Sequence, residues 1–190
     1  MQRTRIFKKD GRVSAEIAGM YAADDLNLTS LVLAQAFVNW HKAFMKLLNP
    51  FNLTYSQWII LQTLMVAGSP MSPSELNKYL TIEGTSISVV IDNIEKRGLV
   101  RRRRSHVDRR VVNVYLTDSG FQLLREVDPL IRKLIEDVFG TLSPEERRQL
   151  VKLSMRIRDA SIIKHGGNPG IVNDILIKFS GADPRLLDID

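Results

Sequence analysis

Apolar residues recur at helical spacing from Thr29 to Leu48, where Leu33, Phe37, Phe44 and Leu48 form a stripe that Leu31, Val38, Trp40 and Met45 broaden. So wide a stripe predicts a helix packed on at least two neighbours, and Asn49-Pro50 ends it. A second helix is predicted from Ser56 to Ala67, with Trp58, Ile59, Leu61, Leu64 and Met65 apolar and Gly68 as its stop. Ser72-Pro73-Ser74-Glu75 then combines a capping box with proline at the first helical position, which predicts a short third helix to about Leu80. Beyond the link Thr81-Ile82-Glu83, a fourth helix is expected over Gly84 to Arg97. Its inner face is Ile87, Val90, Ile91 and Ile94, and Thr85, Ser86, Ser88, Val89, Asp92 and Asn93 point elsewhere. After Gly98 the period changes to two. Val112, Val114 and Leu116 share one face, Val111, Asn113 and Tyr115 the other, and the turn Ser105 to Arg109 makes Leu99 to Leu116 a hairpin.

Thr117-Asp118 opens a long helix whose Leu123, Val127, Leu130, Leu134 and Val138 repeat in steps of three and four, the pattern of a helix–helix seam. Pro129 inside it predicts a kink rather than a break. Ser143-Pro144-Glu145-Glu146 repeats the capping logic and starts a final helix to about Ile163. The chain therefore divides into a basic arm (1–28), a core or dimerisation helix (29–50), a central domain (51–117), paired long helices (118–165) and a tail (166–190). The arm, with Arg3, Arg5, Lys8, Lys9 and Arg12, reads as one that orders only on a partner; it either touches a polyanion or is simply disordered. The tail's single apolar segment, Ile171 to Phe179, is too short to be stable unpacked and should dock on a partner subunit or on the core.

Charge sharpens this picture. The 190 residues carry a formal net charge of +6, and seven arginines (97, 101, 102, 103, 104, 109 and 110) crowd the hairpin region against the single acid Asp108. A polyanionic partner is expected at that place. The absence of cysteine rules out disulfides, thiolate metal sites and thiol-based sensing. His41, His106 and His165 are scattered without neighbours at ligand spacing, so no metal and no cofactor is expected. No Gly-rich phosphate loop, metal-binding histidine pair or nucleophile elbow is present, which argues against an enzyme. Lacking a secretory core or a run of roughly 18 apolar residues, the chain is expected to be soluble, cytoplasmic and without a membrane partner.

A short helix, a tight link, a second helix with a polar outer face and a basic hairpin are the parts of a winged helix-turn-helix, in an otherwise mainly α chain with long N- and C-terminal dimerisation helices. Small polar side chains let such a helix enter the major groove, and guanidinium groups suit the backbone and narrow minor groove beside it. Residues 54 to 162 resemble the MarR family of transcriptional regulators. The resemblance rests on the helix-turn-helix, on Ile94-Glu95-Lys96-Arg97-Gly98-Leu99-Val100, on the wing motif Asp108-Arg109-Arg110 and on Leu116-Thr117-Asp118-Ser119-Gly120. It implies an intertwined homodimer, a pseudo-palindromic operator in double-stranded DNA, and regulation, more often repression, answering to a small aromatic or lipophilic ligand. It also implies that Asp108 braces the wing and that Arg110 enters the minor groove. Many members carry a basic residue early in the recognition helix, where this chain has Glu83, Gly84 and then Val89.

The expected DNA contacts are accordingly Ser72, Thr85, Ser86, Ser88, Val89, Asn93, Arg101, Arg102, Arg103, Arg104, His106, Asp108, Arg109 and Arg110. Trp40, His41, Phe44, Met45, Tyr55, Trp58 and Met65 are candidates for a ligand pocket, although aromatic and methionine residues at helical spacing more often form core. An arginine-rich hairpin also serves simply to discourage edge pairing, and Asp108 can cap its own turn. The competing assignment is a winged helix used for protein assembly without sequence-specific DNA binding.

Overall fold

Helix α1 occupies Asp25–Leu48 and starts four residues before its predicted Thr29, because Asp25 and Leu26 continue the helical backbone. The computed structural model describes residues 25–78, 86–104 and 110–167 together with Pro169. The arm before residue 25, the link with Gly84 and Thr85, the hairpin turn with His106, Asp108 and Arg109, and the apolar segment Ile171 to Phe179 lie outside the described residues. The chain divides into two compact units, Met1–Phe44 and Met45–Asp190. In the first, the described part is α1 as far as Phe44, and its Leu26, Leu28, Leu31 and Phe37 are exposed over more than half of their surface.

The second unit continues through a 3-10 turn, Asn49–Phe51, into α2 (Tyr55–Ala67). Thr54 caps α2 with a full capping box: its hydroxyl accepts the Gln57 amide at 3.2 Å and Gln57 Oε1 accepts the Thr54 amide at 3.1 Å. Helix α3 covers Pro73–Asn77, and the predicted cap is in place, with the Ser72 amide donating to Glu75 Oε2 at 2.7 Å. Helix α4 is shorter than expected, Ile87–Lys96 with Ser86 at its N-cap. Gly98, at φ 72°, ends it in the left-handed conformation that only glycine adopts without strain. Strands β1 (Val100–Arg104) and β2 (Val112–Leu116) pair antiparallel, Val100 opposite Leu116 and Arg102 opposite Val114.

The core is built from Ile60, Leu61 and Leu64 of α2, Leu76 of α3, Val90, Ile91 and Ile94 of α4, Val100 and Val114 of the hairpin, and Leu124, Val127 and Ile131 of α5 (Asp118–Phe139). Met71 ties the hairpin to the helices by exchanging both backbone hydrogen bonds with Val114, at 2.8 and 3.2 Å. Helix α5 runs unbroken through Pro129. Its buried stripe is shifted by one position from the predicted seam: Leu124 and Ile131 are buried, Val127 is shared, and Leu130 and Val138 are exposed. Helix α6 (Pro144–Lys164) begins at the predicted Ser143 cap and buries only Met155 among its side chains. No helix among the described residues is long and apolar enough to cross a membrane, and no cluster of potential metal ligands occurs among them.

Candidate nucleic-acid interface

Helix α4 presents three stripes. Val90, Ile91 and Ile94 face the core; Ser86, Val89, Asn93 and Lys96 lie in the open; Ser88, Asp92 and Glu95 form a third line between them. Val89, half exposed, offers a methyl-bearing surface of the kind that meets thymine methyls, and Ser86 and Asn93 offer donors and acceptors. Ser88 is also exposed, whereas Ser72 is half-buried and committed to its capping box.

The run of four arginines on β1 is sorted by strand parity. Val100 is buried, so Arg102 follows it toward the helices, opposite the fully buried Val114. Its Nη1 donates to Asp92 Oδ1 at 2.5 Å and to Glu95 Oε2 at 2.7 Å, and its own backbone N–H donates to Glu95 Oε1 at 2.7 Å. Burial opposes the charged guanidinium, but the hydrogen bonds it donates to Asp92 and Glu95 outweigh it and raise its pKa. Arg101 and Arg103 take the opposite face. Arg101 lies over the Tyr115 ring, 5.8 Å from its centroid, and Arg103 is exposed. Arg104 and Arg110, at the two ends of the hairpin arm, are exposed as well. Arg97, although exposed, is engaged within the chain: its guanidinium donates to the carbonyls of Phe51 and Asn52 at 2.9 and 2.6 Å, which holds the bend where Asn52 has φ 52°.

The base of the hairpin is held by Thr117. Its hydroxyl lies 2.7 Å from the Gly98 carbonyl and 2.9 Å from that of Leu99, and it accepts the Gly120 amide at 3.1 Å. Gly120 sits so close to β1 that a Cβ there would approach the Leu99 carbonyl to 2.2 Å. The Leu-Thr-Asp-Ser-Gly phrase is thus the joint between hairpin and long helix. The work of that phrase, and the roles of Arg97 and Met71, depend on contacts between residues far apart in the chain and carry no local sequence signal.

The ligand-pocket candidates are divided between the two units. Trp40, His41 and Phe44 belong to the first, with Trp40 and Phe44 rings 5.6 Å apart and His41 stacked on Phe37. In the second, Met45 is half-buried, Tyr55 and Trp58 rings lie 5.9 Å apart, and burial raises the Tyr55 pKa. Burial also raises the Asp128 pKa, offset in part by the neighbouring Trp58 indole and by the Arg132 charge. Met65 lines a cavity of about 310 Å³ with Leu64, Pro70, Tyr115 and Phe121.

Residues 42–127 match the family model described as transcriptional regulator SarA/Rot. Among solved structures, the chain is similar to AbsC, a MarR family transcriptional regulator of Streptomyces coelicolor (26% identity, TM-score 0.67), over 73% of this chain and 95% of that one. It is similar to BpsR of Bordetella bronchiseptica, whose DNA binding is regulated by 6-hydroxynicotinic acid (26% identity, TM-score 0.61), over 68% of this chain and 92% of that one. It also shares its fold with Sco3205, another MarR family regulator of S. coelicolor, solved in complex with DNA (24% identity, TM-score 0.64; 70% and 86% covered). The open stripe of α4, the arginine-bearing hairpin beside it and these likenesses agree: residues 42–127 match the SarA/Rot transcriptional regulator family, and the chain has the winged-helix fold of the MarR family regulators it is similar to.

Proposed function

We propose that the protein is a sequence-specific DNA-binding regulator, acting as a homodimer on a pseudo-palindromic operator. The observation that carries this reading is the pairing of an exposed stripe (Ser86, Val89, Asn93 and Lys96) with exposed arginines (Arg103, Arg104, Arg110) on the adjoining hairpin. The stripe suits base edges in the major groove, and the arginines suit phosphates and the minor groove. Thr85, His106, Asp108 and Arg109 complete the proposed contact set by their positions in the chain.

Homodimerisation is supported by apolar surface left open along the long helices. Leu130, Ile135 and Val138 of α5 and Leu150, Val151, Leu153 and Ile157 of α6 each expose more than a third of their surface. Phe139, Leu150, Val151 and Met155 line an open groove of about 510 Å³ there. Contiguous apolar surface of this kind marks an interface. A two-fold dimer would set two recognition helices roughly 34 Å apart, one turn of the duplex.

The regulator acts in the repressing sense and is released by a small aromatic or lipophilic ligand; the regulation of BpsR's DNA binding by 6-hydroxynicotinic acid supports the ligand. Such a ligand must bind the DNA-incompetent spacing of the two recognition helices more tightly than the competent one. Selection of bound duplexes from genomic fragments tests the reading: it should return a two-half-site sequence bound at least a hundredfold more tightly than random duplex. Affinity that never rises above the random level, for wild type at moderate salt, would favour the protein-assembly assignment. Arg110→Ala should weaken binding and lower the salt slope by about 0.9 if it holds one phosphate. Titration of the operator complex with 6-hydroxynicotinic acid and related aromatic acids tests release.

A further inference from the structure

We infer that Arg102 is a positioning residue of the interface, clamping the hairpin to α4 and offsetting part of the charge of two carboxylates that would otherwise face the DNA. This inference rests on the DNA-binding reading above and deepens it. Arg102 stands in a run of four arginines, and by charge alone it is indistinguishable from its neighbours. The register separates it. Opposite the buried Val114, on the inner face of β1, its side chain is only 26% exposed and ends on α4.

Three residues one helical face apart receive it: the Ser88 carbonyl at 3.4 Å, Asp92 at 2.5 Å and Glu95 at 2.7 Å. Glu95 in turn grips both the side chain and the backbone N–H of Arg102, which fixes the strand as well as the guanidinium. Such a planar fork shared between two carboxylates has directional preference that a lysine ammonium lacks.

Two consequences follow for recognition. Asp92 and Glu95 lie on the partly exposed flank of α4, and phosphates would repel them if they were unpaired; Arg102 reduces that repulsion by cancelling one of the two charges. It also sets the angle between α4 and β1, hence where Arg103 and Arg104 fall on the duplex. The base-reading surface is then confined to the open stripe Ser86, Val89, Asn93 and Lys96. Arg102 acts through the other residues and takes no phosphate itself.

The test compares Arg102→Met, the triple variant Arg102→Met/Asp92→Asn/Glu95→Gln and Arg103→Ala, each as the full chain, by two measurements. Hydrogen exchange of the free protein reads the clamp without DNA. Arg102→Met should speed exchange of the β1 and β2 amides about tenfold, while Arg103→Ala leaves it unchanged. Affinity for random duplex across a salt series reads the interface. Arg102→Met should weaken binding about tenfold with an unchanged salt slope, the triple variant should recover to within threefold of wild type, and Arg103→Ala should lose about 0.9 from the slope. Unchanged exchange in Arg102→Met, or a slope loss equal to that of Arg103→Ala without recovery in the triple variant, overturns the inference. Failure of wild type to bind any duplex would end the DNA reading, and with it the interfacial role, whereas the exchange measurement would still decide whether the clamp exists.

Discussion

Gly120 shows how a single position is dictated by its neighbours. It lies in the first turn of α5, where most residues are acceptable, yet the Leu99 carbonyl and the Leu116 side chain leave no room for a methyl group. Gly120→Ala must push the helix off the hairpin base, and overpacking of this kind costs about 1–3 kcal/mol. Urea denaturation should show the loss, and a melting temperature lower by about 2–4 °C per kcal/mol should accompany it. Asp128 presents the opposite case, a carboxyl retained where burial disfavours its charge. Because its folded pKa lies above the ordinary 3.8, its contribution to stability is fully present below 3.8 and is lost as pH rises through the raised value. Asp128→Asn, which removes the charge at nearly the same volume, should therefore be more stable than wild type at pH 7. The difference between the two should disappear in acid, as denaturation midpoints measured from pH 3 to 7 will reveal.

The helices owe their boundaries to capping, which is local chemistry. Thr54 with Gln57, Ser72 with Glu75, and Ser143 with Glu146 each satisfy orphan amides at an N-terminus. Hydrogen bonds from Ser72, backbone first and hydroxyl second, lower the Glu75 pKa below its usual 4.5. The cap's contribution is thus fully present above 4.5 and is lost as pH falls through the lowered value. Glu75→Gln should remove that part of the acid dependence, giving a shallower fall in stability between pH 5 and 3 than wild type. At the other joint, Thr117→Ala gives up the cap of α5 and both carbonyl contacts, and a loss of about 1–2 kcal/mol is expected by denaturant titration. Pro129 costs α5 the hydrogen bond that a backbone N–H there would make to the Arg125 carbonyl, yet the helix stays continuous, anchored at Leu124, Val127 and Ile131.

At the scale of the whole molecule, the apolar surface of α5 and α6 and the proposed reading of two half-sites are one question. If a second copy covers these helices, Leu153→Glu with Ile157→Glu should yield a monomer in sedimentation at micromolar concentration. Affinity for a duplex with both half-sites should then fall 10²- to 10⁴-fold toward that of one half-site, because the second contact ceases to be intramolecular. A dimer that survives both charges would place the subunit interface elsewhere.

Much of the architecture was legible before the structure because its signals are short-range. Caps, the glycine stop at Gly98, the three-and-four spacing of helices and the period-two hairpin depend on residues a few positions apart, and the element order follows from them. Tertiary structure alone decided the roles within chemically uniform stretches. Which of four consecutive arginines turns inward depends on strand register against Val114, and which stripe of α5 is buried depends on its packing against α2. The requirement for glycine at 120 depends on a carbonyl twenty-one residues earlier. Those are long-range facts, set when the chain closes on itself, and no local pattern encodes them.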